Sequence, residues 1–297
     1  MTDFNIPILL LTYNRPELLE RVFEQVEKIR PEKIYVVSDG PKNDEDALKI
    51  ERSREFLSLK SREFTIIQLN RNENLGCRKS VSSGISWFFD QEEMGIILED
   101  DCLPSESFFN YCAELLNRYK NDERIYSISG FNQQNEWKTK NADYFFSSLG
   151  NCWGWASWRR CWKDYDVDIE DFNEFVSNNG FENSLGSHLG EIKHNMIHNG
   201  VIKNASDSWA LQWGYLRHKN HGLTCIPSKS LIKNIGFGRD ATHTKGHHPF
   251  ENVIANEITF PLKENFFIVP DIEYDNLMFK RENLLIRFFQ RIWRVFN

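Results

Sequence analysis

Gly95-Ile96-Ile97-Leu98-Glu99-Asp100-Asp101 decides the fold class. A short, largely apolar run reads as a strand buried on both faces. Here it ends abruptly on three consecutive acids. Working back toward the N-terminus, similar runs recur at Ile6 to Leu11, at Lys33-Ile34-Tyr35-Val36-Val37-Ser38 and at Phe64-Thr65-Ile66-Ile67-Gln68-Leu69. Helical spacing fills the gaps. Pro16 opens one segment, with Leu18, Leu19, Val22, Phe23, Val26 and Ile29 on one face, and proline is well placed in a first helical turn. A charged helix is expected around Asp44 to Leu57 and another from about Arg78 to Phe89. Ser105 is a capping residue for a fourth helix, through Phe108, Tyr111, Leu115 and Leu116.

The resulting β-α-β-α-β-α-β order predicts an α/β fold, with a mostly parallel central sheet flanked by helices. In such sheets ligands lie beyond the carboxyl ends of the strands. Three of the four runs end there in polar residues: Thr12-Tyr13-Asn14-Arg15, Ser38-Asp39-Gly40 and Glu99-Asp100-Asp101. One polar strand end is a turn, whereas three on one edge make a site. Beyond Gly130 the pattern loosens into short strands, Ile125 to Ser129, Tyr144 to Ser148 and Leu223 to Ile226, among loops rich in Asn, Gly and Trp. No repeat or linker divides the chain, so one domain is expected over residues 1–270. Residues 271–297 follow as a C-terminal basic amphipathic helix. From 276 onward its apolar members are Leu284, Leu285, Phe288, Phe289, Ile292, Trp293 and Phe296, and its basic members are Lys280, Arg281, Arg287, Arg291 and Arg294.

The bulk numbers narrow the function. A net charge of −7 over 297 residues argues against nucleic acid as a partner. The six cysteines follow no metal or disulfide spacing. The opening Met1-Thr2-Asp3-Phe4-Asn5 is polar and no run approaches a membrane span. Reduced thiols and a cytoplasmic protein are therefore expected.

The acidic triplet carries the chemistry. Three adjacent acids on a buried strand end repel one another unless a cation is present. Hard divalent cations such as Mn²⁺ or Mg²⁺ take oxygen ligands, and beside a diphosphate they need only one or two carboxylates. Such a cation stabilises the charge that develops when a sugar leaves a nucleotide diphosphate. The plainer reading is an acidic turn ahead of the Ser105 cap. Asp39 suits the imide N–H of uracil or thymine, against a simple Asp-Gly turn. Arg78, after Asn74-Leu75-Gly76 at a helix start, suits a phosphate, against a solvated surface arginine.

These motifs resemble a known family. T-Y-N-R-P, S-D-G, N-x-N-L-G and L-E-D-D are similar to the GT-A class of inverting glycosyltransferases, which have the nucleotide-diphospho-sugar transferase fold. The E-D-D form, with Pro104 and Phe108-Phe109 after it, resembles the animal N-acetylglucosaminyltransferase that begins complex N-glycans. The second half resembles bacterial relatives that build surface polysaccharides, through Trp153-Gly154-Trp155-Ala156, Asp207-Ser208-Trp209, Asn234-Ile235-Gly236-Phe237-Gly238 and Ala241-Thr242-His243-Thr244. The likeness covers roughly residues 5 to 245.

The resemblance implies roles. Thr12, Arg15 and Asp39 would line the nucleotide base, and Arg78 would hold the nucleotide or diphosphate. Glu99 and Asp100 would lie near the ribose and donor sugar. Asp101 would bind the metal, with His243 a second ligand or a diphosphate contact. The stretch from Gly236 to Gly246, carrying Arg239 and Lys245, looks like a lid over the donor. An inverting transfer also needs a base to deprotonate the acceptor hydroxyl. The resemblance points to Asp207, although Ala210 stands where some relatives carry Asp; Glu191 is a reserve. The competing reading of Asp207 is an N-cap on the helix through Leu211 and Tyr215.

Other features are weighed likewise. Trp155, Trp158 and Trp162 fall at helical spacing and read as core, while Trp153 and Gly154 suit a sugar pocket. His243, His247 and His248 have no cysteine or carboxylate partner at zinc spacing. The basic, aromatic C-terminal helix fits an anionic membrane surface, here the inner face, as a peripheral contact for a lipid-linked acceptor. It equally fits packing on its own domain or in a homodimer.

The expectation is a metal-dependent transfer from a nucleotide-sugar, UDP preferred, to a glycan or lipid-linked hydroxyl in surface polysaccharide synthesis. One alternative is a sugar-nucleotide nucleotidyltransferase. It would carry a Gly-rich loop and a lysine after the first strand, where Thr12-Tyr13-Asn14-Arg15 stands. A second is a non-catalytic carbohydrate-binding protein that kept the fold.

Overall fold

The computed structural model describes residues 4–237 and 250–279. The first half alternates as the sequence pattern predicts: β1 (Ile8–Thr12), α1 (Pro16–Lys28), β2 (Ile34–Ser38), α2 (Asp44–Lys60), β3 (Ile66–Asn70), α3 (Gly76–Gln91) and β4 (Met94–Glu99). Local chemistry sets the helix starts. Pro16 takes the first position of α1, and the Asn43 side chain accepts from the Asp46 N–H to cap α2.

After β4 come β5 (Cys102–Pro104), α4 (Glu106–Arg118), β6 (Ile125–Ser129), β7 (Tyr144–Ser147) and β8 (Trp155–Trp158). Four helices follow, α5 (Arg159–Trp162), α6 (Phe172–Ser177), α7 (Gly180–Leu185) and α8 (Ser187–Ile197), and then a π-helical turn at His198–Ile202. The order closes with α9 (Ala210–Lys219), β9 (Leu223–Pro227) and β10 (Ile232–Asn234). A further helical stretch covers residues 272–279.

Eight strands form one sheet in the order β3-β2-β1-β4-β8-β6-β9-β7. The pairs β1–β2, β2–β3, β1–β4 and β6–β9 are parallel; β4–β8, β6–β8 and β7–β9 are antiparallel. β1 has β2 on one side and β4 on the other, so the strand order reverses there, where open α/β sheets bind ligands. Register places Thr12 opposite Ser38 and Leu11 opposite Glu99. The three polar strand ends therefore share one edge. β5 and β10 form a separate antiparallel pair, Asn234 opposite Cys102, which carries the chain beyond Asn234 up against the acidic triplet.

The main core fills both sides of the sheet, with Phe23, Phe88, Phe108, Trp155 and Trp213 among its fully buried members. Trp155, Trp158 and Trp162 are buried as expected, but not on one helix. Trp155 and Trp158 lie in β8, and three residues along a strand puts them on opposite faces. Trp155 packs on Trp162, Trp209 and Trp213, while the Trp158 indole donates to the Leu116 carbonyl at 3.2 Å. None of the six cysteines is in a disulfide.

The start of the expected C-terminal helix belongs to the domain. Tyr274, Met278 and Phe279 are buried against Phe145, Leu149 and Ile226. Asp275 accepts from the Ser147 hydroxyl and from the Ser148 N–H. The apolar and basic residues read from Lys280 to Phe296 lie outside the described residues. Among those described, no helix is long and apolar enough to cross a membrane.

Candidate active site

A cleft of about 470 Å³ opens at the carboxyl edge of β1, β2 and β4, within the usual range for a small-ligand site. It is lined by Thr12 and Arg15, Asp39, Glu99, Asp100 and Asp101, and by Trp153 and Asp207 from the second half.

The β2 end is held by Asp39. Its Oδ1 accepts from the N–H groups of Gly40 (2.9 Å) and Leu75 (3.0 Å), and its Oδ2 from Asn74 Nδ2 (3.1 Å). Oδ2 keeps a lone pair for a further donor. Gly40 is obligatory, because a Cβ there would stand 2.3 Å from the Glu73 backbone. The β1 end is tied down by Tyr13 and Asn14, which bond the Asp46 carboxylate at 2.7 and 2.6 Å.

Arg15 also lines the cleft, but its guanidinium is engaged by the acids, at 2.8 Å from Asp101 and 3.3 Å from Asp100. Burial opposes its charge, and the Asp100 and Asp101 carboxylates more than offset that. The Tyr13 N–H also donates to Asp100, at 3.3 Å. No donor among the described residues bonds the Glu99 carboxylate. Burial, then the Asp101 and Asp100 charges, push its pKa up to about 8. Glu99 keeps an edge open to the cleft, so cleft water relieves part of that burial. Asp100 is raised too, by burial first, with Arg15 opposing.

The chain from β10 covers Asp101. The Ile235 N–H donates to the Asp101 carbonyl at 2.8 Å, and Gly236 passes so close that a Cβ would meet Asp101 Oδ2 at 2.3 Å. Asn234, Gly236 and Phe237 line the cleft here. Trp153 stands in a cage of Phe131, Phe237 and Phe250, with ring centroids at 4.7, 5.7 and 5.8 Å. Gly154 does not line the cleft. Its positive φ of 61° and its contact with Ile232 explain the glycine, and the turn it makes presents Trp153.

Asp207 reaches the cleft by a route the sequence does not reveal. It does not cap its own helix; α9 follows Trp209 with no side-chain cap. Instead its carboxylate caps α3, accepting from the N–H groups of Cys77 (2.8 Å) and Arg78 (3.0 Å). Arg78 departs from its expected place. Its guanidinium donates to the Ser206 carbonyl, and to that of Gly200 at 3.4 Å, so it holds the loop before Asp207 rather than lining the cleft. Glu191 is exposed on α8, away from the cleft. Arg239, His243 and the other expected lid residues from 238 to 246 lie outside the described residues, as do His247 and His248.

Sequence reasoning missed Lys42, Ser80 and Val81 as lining residues, together with Cys77. The Cys77 thiol is pushed up to about 12, first by burial and then by Glu99, Asp207 and Asp39, so it is neutral. Ser80 and Val81 follow Cys77 at one-turn spacing on α3, the only sequence signal for them.

A metal would find a partial shell. No three His, Cys, Asp or Glu side chains among the described residues are placed to hold an ion. Asp101 and Asp100, which share Arg15, are hard-oxygen donors of the kind and number that a diphosphate-bound Mg²⁺ or Mn²⁺ would take, and the raised carboxyls there would favour an added cation. The donor set fits.

Comparison with known proteins places this architecture. No curated protein matches the chain. Among solved structures it is similar to Staphylococcus aureus TarS 1–349, at 10% identity and TM-score 0.44, over 77% of this chain and 59% of that one. The chain thus spans about three fifths of that TarS chain. It is also similar to 4-diphosphocytidyl-2C-methyl-D-erythritol synthase from Anaerococcus prevotii, at 14% identity and TM-score 0.34, over 60% and 85%. HddC from Yersinia pseudotuberculosis, in its complex with GMP-PN, gives 10% identity and TM-score 0.33, over 54% and 80%. The family Glycosyl transferase family 2 matches residues 8–175, from β1 into α6. That is more than half of the chain, which therefore belongs to this glycosyltransferase family.

Proposed function

We propose that the protein is an inverting, metal-dependent glycosyltransferase that moves a sugar from a UDP-linked donor to a hydroxyl of a glycan or lipid-linked acceptor. The observation that carries this is the meeting, in one cleft, of a base-reading carboxylate (Asp39), an acidic strand end (Glu99 to Asp101) and a second-half carboxylate (Asp207). Thr12 and Asp39 bind the nucleoside, Asp39 accepting the uracil imide N–H. Glu99, Asp100 and Trp153 face the donor sugar. Asp101 and Asp100 hold the cation, with His243 a candidate second ligand and Arg239 a candidate donor contact from the lid. A bound Mn²⁺ or Mg²⁺ would neutralise charge on the departing diphosphate.

Asp207 is the base. The acceptor oxygen bonds to the anomeric carbon as the bond to the β-phosphate oxygen breaks, and the hydroxyl proton passes to Asp207. Its two backbone bonds fix the carboxylate while each oxygen keeps a lone pair for the acceptor. The likeness of the second-half motifs to surface-polysaccharide enzymes supports a bacterial glycan as product and a peripheral site at the inner membrane face, with the C-terminal segment as contact or dimer element.

A thermal-shift screen of nucleotide-sugars with and without Mn²⁺ tests the reading. One UDP-sugar should raise the melting temperature, and more so with metal. A flat response to every donor would remove it.

A further inference from the structure

One five-residue turn touches both carboxylates that the proposed reaction needs. At its first end Asn74 and the Leu75 N–H bond Asp39, at 3.1 and 3.0 Å. At its last end the Cys77 and Arg78 N–H groups bond the two oxygens of Asp207, at 2.8 and 3.0 Å. Between them Gly76 adopts φ +79°, and a Cβ there would stand 2.8 Å from Asp207 Oδ2. The Arg78 guanidinium then reaches back to the carbonyls of Ser206, immediately before Asp207, and Gly200.

We propose that the Asn74–Arg78 turn is the spacer that fixes the transfer end of the cleft relative to its nucleoside end, and that Arg78 is a positioning residue for Asp207 rather than a donor ligand. This rests on reading Asp207 as the base.

The physical case is direct. Asp207 follows a loop, 203–206, whose N–H groups fold it back onto the π-helical turn through the carbonyls of His198, Val201, Asn199 and Gly200. Those bonds are local to 198–206, so the placement of Asp207 against α3 rests on the fork and on Arg78. α3 is a 16-residue helix anchored by Ile85, Phe88 and Phe89 in the main core. Its first free N–H groups form a fixed fork for a carboxylate. The fork orients the side chain, and the Arg78 clamp orients the backbone that bears it. Losing the clamp leaves the fork and the loop's own backbone bonds intact but lets the 200–206 unit shift against α3, and a small displacement of a base lowers turnover without weakening the donor's grip.

The test compares the full chain with Arg78→Gln, Arg78→Lys and Gly76→Ala. Hydrolysis of UDP-glucose, UDP-galactose and UDP-N-acetylglucosamine is followed with Mn²⁺, water serving as acceptor. For Arg78→Gln, kcat should fall about 10-fold or more while donor KM stays within about 2-fold. Arg78→Lys should recover much of the loss, since an ammonium can also donate to a carbonyl. Gly76→Ala should show the same split with the arginine intact. A large rise in donor KM at unchanged kcat would make Arg78 a donor ligand and overturn the proposal. So would an unchanged kcat, or a lower melting temperature with unchanged kcat per folded molecule. Amide exchange over residues 200–209 gives a readout independent of turnover: Arg78→Gln should accelerate it there and not in β1 or β4, and unchanged protection also overturns the clamp. Asp207→Asn separates the two claims. If that variant keeps its turnover, the base reading fails. If it loses turnover while Arg78→Gln does not, the spacer alone fails.

Discussion

Replacing Glu99 with Gln should stabilise the protein at alkaline pH, and the size of the effect follows from the site. The Glu99 carboxyl is raised from about 4.5 to about 8. Between those values the folded state keeps a proton that the unfolded chain has released, so stability falls as pH rises through this window and is fully retained only below it. At about 1.4 kcal/mol per pH unit, the loss above pH 8 has an upper bound of about 5 kcal/mol. Cleft water around the partly exposed Glu99 reduces that, and about 2–3 kcal/mol is the reasonable expectation. Glutamine removes the charge at nearly the same volume. At an unfolding entropy of about 2 cal/mol/K per residue, the variant should melt about 3–5 °C above the parent at pH 8.5. At pH 5, near the foot of that window, the gap should shrink to under about 1 kcal/mol, because the folded parent keeps its Glu99 proton and the unfolded chain has only begun to gain by releasing it. The assay is a melting curve by circular dichroism at half-unit steps from pH 5 to 9. If the gap is absent at pH 8.5, or is just as large at pH 5, the electrostatic account of the triplet is wrong.

The remaining predictions probe other parts of the molecule. Asp101→Asn should remove the Mn²⁺-dependent part of any stabilisation by nucleotide-sugar while leaving a metal-free part, read by thermal shift. Gly236→Ala should do much the same from outside the triplet, because its Cβ would displace the Asp101 carboxylate. Gly40→Ala meets backbone rather than a side chain, so it should cost about 1–3 kcal/mol in chemical denaturation with the donor absent. Deleting residues 280–297 should abolish flotation with anionic liposomes while leaving the fold intact. The cut belongs at 280 because Met278 and Phe279 are core residues; undiminished flotation would sink the membrane contact.

The sequence revealed the first half well because two periodicities carry it. Runs such as Ile8 to Thr12 and Ile96 to Leu98 pair with one another as neighbours, and the helices between them bury single faces. Register then brings Thr12, Ser38 and Glu99 together with no further information. The second half obeyed longer-range rules. Trp155 to Trp162 carries a helical spacing, yet the open edge of β4 recruits Trp155–Trp158 as an antiparallel strand. Arg78 reads as a phosphate ligand because it opens a helix, and the structure turns it to two carbonyls more than a hundred residues away. The capping reading of Asp207 had the right motif and the wrong helix. A cap is recognised in sequence only when it is local, and this one spans from residue 207 to residue 77.

Two buried acids show why the triplet reads as a functional feature. Asp275 is also raised by burial, yet the Ser147 hydroxyl and the Ser148 N–H satisfy it. It holds residues 272–279 against β7, and a structural role accounts for it fully. Glu99 gains no such bonds from the described residues and stands beside two further carboxylates sharing one arginine. An acid placed so weakens the fold at neutral pH, and nothing in the packing requires it, since a glutamine of equal size would fit. Strain of this kind is concentrated where a site is arranged for a partner that the protein alone does not supply. The partner must be cationic to relieve the charge, or rich in hydrogen-bond donors to occupy the oxygens. A divalent ion on Asp101 meets the first need and the hydroxyls of a donor sugar meet the second. Glu99 and Asp101 therefore answer to different parts of one ligand, and the Glu99→Gln and Asp101→Asn variants should differ in kind: the first alters stability without ligand, the second alters what metal adds with it.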